Sequence, residues 1–218
     1  MLGERTTPGA LRVKICGITT EEDARAAAEA GADAIGLNCF RGSKRFLELE
    51  PAAVWLSRLP ASLIKVAVAV NLPFDQALAI ARLPFIDSLQ LHGHETPEFC
   101  AALKRAGVRF GKALPAADAQ SLAGAELYAT KTIVMDSTAA GAFGGTGKTF
   151  PWEIGRKFVE EHPDVAAILA GGLTPENVAE AVREVRPFGV DVTTGIESSP
   201  GRKDHDAVRR FVDAARAA

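Results

Sequence analysis

LIKVAVAV, residues 63–70, is the stretch on which the fold turns. From Val66 to Val70 no polar side chain interrupts it. A strand with one face in water alternates apolar and polar residues, whereas a parallel strand covered on both faces reads as a nearly continuous apolar run. The stretch fits the second case. Similar short runs recur at 11–16 (LRVKIC), 33–37 (DAIGL), 86–91 (IDSLQL), 108–113 (VRFGKA), 131–135 (KTIVM), 165–169 (VAAIL) and 188–192 (FGVDV).

Helix-like stretches fill the gaps. Thr19 or Thr20 caps 21–30, with Glu21, Glu22 and Asp23 in the first turn and Gly31 beyond the end. Further helices are expected over 51–59, 73–82, 97–106, 151–161, 175–186 and 204–217, with a weaker signal at 116–122. Eight strands, each followed by a helix, predict a single-domain α/β fold, the (β/α)8 TIM barrel, over residues 11–218. Residues 1–10 read as a short N-terminal arm. The competing architecture is an open doubly wound sheet, which carries a glycine fingerprint after its first strand. Here that position holds Cys16-Gly17-Ile18, without GxGxxG.

The bulk numbers narrow the function classes. The formal net charge of −2 gives no global attraction for nucleic acid or an anionic membrane, so any anion site must be local. Cys16, Cys39 and Cys100 stand far apart with no CxxC pair, which argues against a disulfide framework or a structural zinc site and for a reducing, cytoplasmic setting. No apolar run reaches the roughly 18–20 residues that span a bilayer. Monomer and homodimer are both open.

A barrel of this kind carries its active site at the carboxyl ends of its strands. Reactive residues collect there: Cys16 after the first strand, Asn38 and Arg45 after the second, Asn71 after the third and His92 after the fourth. Asp136 follows the sixth, Gly171 and Gly172 the seventh, and Asp191 with Thr193, Thr194 and Gly195 marks the eighth. Each has a structural reading of its own: a buried thiol, a hydrogen-bonded histidine, loop caps, a solvated arginine. Their common end of the barrel is what a purely structural account does not require.

GGTGKTF, residues 144–150, looks like the end of a P-loop. The pattern fails at Ala142, where the motif needs glycine, and Lys148 lies about a dozen residues beyond the strand end at Asp136. A nucleotide hydrolase is therefore disfavoured. Backbone N–H groups near Gly145 can still meet a phosphate, beside Gly171, Gly172, Thr194 and Gly195, since loops after strands seven and eight commonly cradle phosphate in barrels. The segment reads as a lid over a phosphorylated ligand.

VKICGIT (13–19), GADAIGL (31–37), SKR (43–45), LQLHG (89–93), MDS (135–137), GGTGKTFPW (144–152), LAGGLTPENV (169–178) and VDVTTGIESSPGRKDHD (190–206) together resemble the phosphoribosylanthranilate isomerase family. The resemblance implies an Amadori rearrangement in tryptophan biosynthesis, with a small phosphoribosyl substrate and neither metal nor organic cofactor. It implies Cys16 as general base and Asp136 as general acid. It assigns Arg45 to the substrate carboxylate, Asp191 to the anthranilate nitrogen and His92 to the active site, with the phosphate on backbone around Gly145, Gly172 and Gly195. Alternation is read as turning Lys14 to the opposite side of the strand from Cys16, which leaves the thiolate without an identified partner. LNCF (37–40) and VAVAVN (66–71) depart from the family's aromatic-rich pattern at Asn38, Cys39 and Ala69, with Phe40 as the available aromatic. Two other readings keep the barrel: a different phosphosugar isomerase, and a non-catalytic phosphometabolite-binding module.

Overall fold

The computed structural model describes residues 1–2, 10–137 and 151–218; the expected lid, with GGTGKTF and Gly145, lies outside the described residues. Eight parallel strands close into a barrel in chain order. They are β1 (Arg12–Cys16), β2 (Ala34–Asn38), β3 (Ile64–Ala69), β4 (Ser88–Leu91), β5 (Phe110–Pro115), β6 (Thr132–Asp136), β7 (Ala166–Ala170) and β8 (Gly189–Val192). Their helices are α1 (Glu21–Glu29), α2 (Leu49–Leu56), α3 (Phe74–Ala81), α4 (Pro97–Arg105), α5 (Ala119–Leu122), α6 (Trp152–Glu161), α7 (Val178–Val185) and α8 (His205–Arg216). A short hairpin, β9 (Glu197–Ser199) and β10 (Arg202–Lys203), sits between β8 and α8.

The caps explain where helices start. Thr20 accepts from the Asp23 N–H, Thr96 from Phe99, and Asp204 from Asp206 and Ala207. Each satisfies an N–H that the first turn leaves without a partner. Two expectations need adjusting. α7 opens at Val178 rather than 175, because Asn177 ties the preceding loop: its Oδ1 accepts from Thr174 N at 2.8 Å and its Nδ2 donates to Gly172 O at 3.0 Å. The weak 116–122 helix contracts to α5, followed by a 3-10 turn at Ala125–Tyr128.

Period-two alternation divides each strand between two cores. Inside the barrel, Ala34, Val66, Ala113, Val134, Ile168 and Ala170 form one cluster, joined by Leu2. Outside, Ile15, Ile35, Ala67, Ala69, Leu89, Ile133 and Leu169 pack in the layer that includes Leu56, Ala77, Leu103, Phe158 and Phe211 from the helices. Burying a Leu, Ile or Phe in that layer contributes about 1.5–3 kcal/mol. At the amino-terminal mouth, the Met1 amine donates to Thr132 Oγ1 and Ser88 Oγ donates to the Met1 carbonyl. That end is packed, which leaves the carboxyl end for chemistry.

Candidate active site

A cavity of about 160 Å³ opens at the carboxyl ends of the strands. Cys16, Arg45, His92, Asp136, Gly171, Gly172, Asp191, Thr194 and Gly195 all line it, whereas Asn71 does not: its Oδ1 accepts from His94 N and its own N–H donates to Glu95. The strand residues arrive by alternation: Val68 and Val70, Gln90 and His92, each two apart on the inner face.

On one side stands Cys16, the last residue of β1. Lys14 lies two residues earlier, and residues i and i+2 of a strand share a face. The expectation that Lys14 points away from Cys16 is therefore wrong. Lys14 is fully buried inside the barrel, its Nζ donating to Asp191 Oδ2 at 2.7 Å. Barrel closure produces this pair, since β1 and β8 run in a register that sets Lys14 against Asp191, 177 residues later. Burial pulls against the ammonium, but Asp191 and Cys16 outweigh it and the Lys14 pKa is raised. Burial pushes the Asp191 carboxyl up, with Lys14 opposing. At 2.7 Å the carboxyl and the ammonium are directly paired, and the raised pKa of Lys14 favours its protonated form. Asp191 Oδ1 is buried without a hydrogen-bond partner among the described residues. Gly36, paired with Cys16 across β1–β2, leaves room for this cluster: a Cβ there would sit 2.5 Å from Cys16 Sγ and 3.0 Å from Lys14 Nζ.

On the other side, Asp136 ends β6 and is 5% exposed. Its Oδ2 lies 2.9 Å from His92 Nε2. Gln90 Nε2 meets His92 Nδ1 at 3.0 Å; with the amide donating, the ring proton of a neutral His92 sits on Nε2, facing the carboxyl. Spacing finds Gln90 only in hindsight, as the residue two before His92.

Arg45 comes from the loop after β2. Its Nε and Nη2 donate to both oxygens of Glu197, at 2.8 and 2.7 Å. Glu197 also accepts from Lys203 Nζ at 3.2 Å. Burial pushes the Glu197 carboxyl up, but these cations outweigh it and its pKa is lowered. Burial lowers the Lys203 pKa. Glu197 and Lys203 escaped the sequence reading because no local spacing ties them to Arg45, 152 residues away in the case of Glu197. The pairing aims the remaining edge of the guanidinium.

The glycine loops close the far end. Gly171 and Gly172 adopt φ of +86° and +66°, which glycine reaches without steric cost. A Cβ on Gly171 would strike Ser137 Oγ at 2.0 Å, and one on Gly195 would strike the Leu173 carbonyl at 2.0 Å. The loops after β6, β7 and β8 thus pack backbone to backbone. Of the departures from the family pattern, Asn38 lines the cavity with Phe40, while Ala69 faces the helix layer. Asn38 folds its own loop, donating to Ser43 Oγ and accepting from Phe40 N.

A family model described as N-(5'phosphoribosyl)anthranilate (PRA) isomerase matches residues 13–214. The chain belongs to the phosphoribosylanthranilate isomerase family. It is an enzyme, an isomerase of the intramolecular oxidoreductase kind. It is 45% identical over 207 residues to the N-(5'-phosphoribosyl)anthranilate isomerase of Geobacter metallireducens, covering 95% of this chain and 100% of that one. The crystal structure of phosphoribosyl anthranilate isomerase from Thermotoga maritima superposes with a TM-score of 0.87 at 36% identity, over 95% of this chain and 100% of that one. A further phosphoribosyl anthranilate isomerase structure was solved in complex with reduced 1-(o-carboxyphenylamino)-1-deoxyribulose 5-phosphate; it matches with a TM-score of 0.83 at 34% identity, over 95% of this chain and 100% of that chain. Among the described residues no helix is long and apolar enough to cross a membrane.

Proposed function

We propose that this chain converts N-(5'-phosphoribosyl)anthranilate to 1-(o-carboxyphenylamino)-1-deoxyribulose 5-phosphate in tryptophan biosynthesis, with Asp136 as general acid and Cys16 as general base. The observation that carries the reading is the convergence of these two residues, 120 apart in the chain by their numbers, on one cavity with Arg45, His92 and Asp191. The relative solved with a reduced product analogue supports the substrate class.

Asp136 donates a proton to the furanose oxygen. The C1'–O bond breaks, and the nitrogen lone pair forms the C=N bond of an open-chain iminium. Cys16 then takes the proton from C2', and the C–H electron pair becomes the C=C bond of an enolamine. Return of a proton to C1', with loss of the C2' hydroxyl proton, gives the ketone. His92 Nε2, 2.9 Å from Asp136 Oδ2, holds that carboxyl in place by a hydrogen bond. Asp191 Oδ1 accepts from the substrate N–H, and the open edge of Arg45 meets the carboxylate. Backbone at Gly172 and Gly195 receives the phosphate.

The test is a fluorescence assay following loss of freshly made phosphoribosylanthranilate. Turnover that vanishes in Cys16→Ala and Asp136→Asn while substrate still binds is expected. Near-normal turnover in Asp136→Asn would remove the acid assignment.

A further inference from the structure

Lys14, fully buried beneath the cavity lining at Cys16 and Asp191, is the charge that the acid–base reading leaves unused. A lysine buried over its whole side chain is a costly residue, and a stable core of this size is better served by an apolar pair. Its ammonium has three N–H donors. One goes to Asp191 Oδ2 at 2.7 Å. Residues 14 and 16 share the inner face of β1, so the ammonium and the sulfur stand on the same side of the strand, and the Cys16 charge helps to keep Lys14 protonated. Sγ and Nζ also crowd the same empty face of Gly36, at 2.5 and 3.0 Å from where its Cβ would be.

The other charges near Cys16 are already committed. Arg45 and Lys203 both act on the sulfur electrostatically, and both are held by Glu197. Asp136 and His92, across the cavity, act on Asp191. Lys14 is the cation that is paired with the carboxylate assigned to the substrate nitrogen and also shares the empty face of Gly36 with the sulfur.

We propose that Lys14 is the positioning residue of proton abstraction: one buried ammonium, shared by Cys16 and Asp191, balances the deprotonated sulfur and holds Asp191 with Oδ1 turned toward the substrate nitrogen. This rests on the reading of Cys16 as the base. The sulfur anion takes the C2' proton and becomes neutral; the C–H electron pair moves into the enolamine. Lys14 keeps its own proton throughout, and its attraction passes from the sulfur to Asp191 as the sulfur loses charge. The same cation therefore serves both states of the reaction without an external reagent.

The experiment is alkylation of Cys16 by iodoacetamide as a function of pH, located by peptide mass spectrometry, together with kcat and KM. It compares the wild-type chain, Lys14→Met, Lys14→Arg and the double variant Lys14→Met with Asp191→Asn. The double variant removes the carboxylate that Lys14→Met leaves buried and unpaired, so it reports even where the single variant folds poorly. In both methionine variants the alkylation midpoint is expected to rise by about one pH unit or more. In Lys14→Met, kcat at neutral pH falls by about a hundredfold with a smaller change in KM. Lys14→Arg, which keeps the charge, stays near the wild-type midpoint. An unshifted midpoint in both methionine variants, with Cys16→Ser inactive, overturns the Lys14 proposal and leaves the base assignment standing. A shifted midpoint with unchanged kcat in Lys14→Met overturns its part in proton abstraction together with Cys16 as the base.

Discussion

Around Cys16 stand three cations, Lys14, Arg45 and Lys203, whereas among the described residues Asp136 has a histidine as its ion-pair partner and no lysine or arginine. The two sides of one cavity are built from different partner types, and the proposed division into base and acid asks opposite things of them. A sulfur that removes a proton must tolerate negative charge, and fixed cations favour that form. A carboxyl that donates a proton must not be locked as a carboxylate. Asp136 meets an imidazole at 2.9 Å in place of such a fixed cation.

Five substitutions test this contrast. The largest effects are expected at the proposed base and acid. Cys16→Ala or Asp136→Asn should lower kcat by about 10²–10⁴-fold while KM changes little, as steady-state assays with fresh substrate would show. If one of the two were nearly silent, the walls would not divide base from acid.

Gly36→Ala disturbs the cation-rich wall without touching a charge. The new methyl would lie 2.5 Å from Cys16 Sγ, so sulfur and ammonium must part. A drop in kcat of about a hundredfold is expected, with circular dichroism unchanged. Gln90→Leu disturbs the opposite wall. His92 loses the amide that sets its tautomer. Turnover should fall by about tenfold, the mild end of what a misplaced catalytic group costs, and the kcat–pH profile should move. A Gln90→Leu profile that coincides with the wild type would show that His92 is held by other means.

Glu197→Gln gives the smallest effect and separates binding from stability. Arg45 loses its bidentate partner, so KM should rise more than kcat falls. The native pKa of Glu197 is lowered, so its contribution to stability is present above the ordinary carboxylate range near pH 4–5 and is lost as pH falls through the lowered value. The melting temperature of the wild-type chain should therefore decline on acidification over that range, and the Glu197→Gln variant should decline less steeply.

The order of elements was legible because it depends on local patterns. LIKVAVAV reads as a doubly covered strand, and β3 is one. Proline, threonine and acidic residues mark helix starts, and Thr20, Thr96 and Asp204 do cap α1, α4 and α8. α7 was misplaced by three residues because Asn177 spends its side chain on the glycine loop, a choice that depends on where the Gly172 carbonyl lies. Lys14 differs: its two-residue spacing from Cys16 is present in the sequence, and strand alternation sets both on the inner face.

The residues that line the cavity follow from position along each strand, and the chain alone determined these: a side chain at a strand's carboxyl end on the inner face can only point into the mouth of the barrel. Which of them touch was decided by tertiary structure. Lys14 meets Asp191 through the register that closes β8 onto β1, and Arg45 meets Glu197 through a hairpin that folds back over the mouth. Such pairings depend on closure of the whole sheet, so no window of sequence contains them.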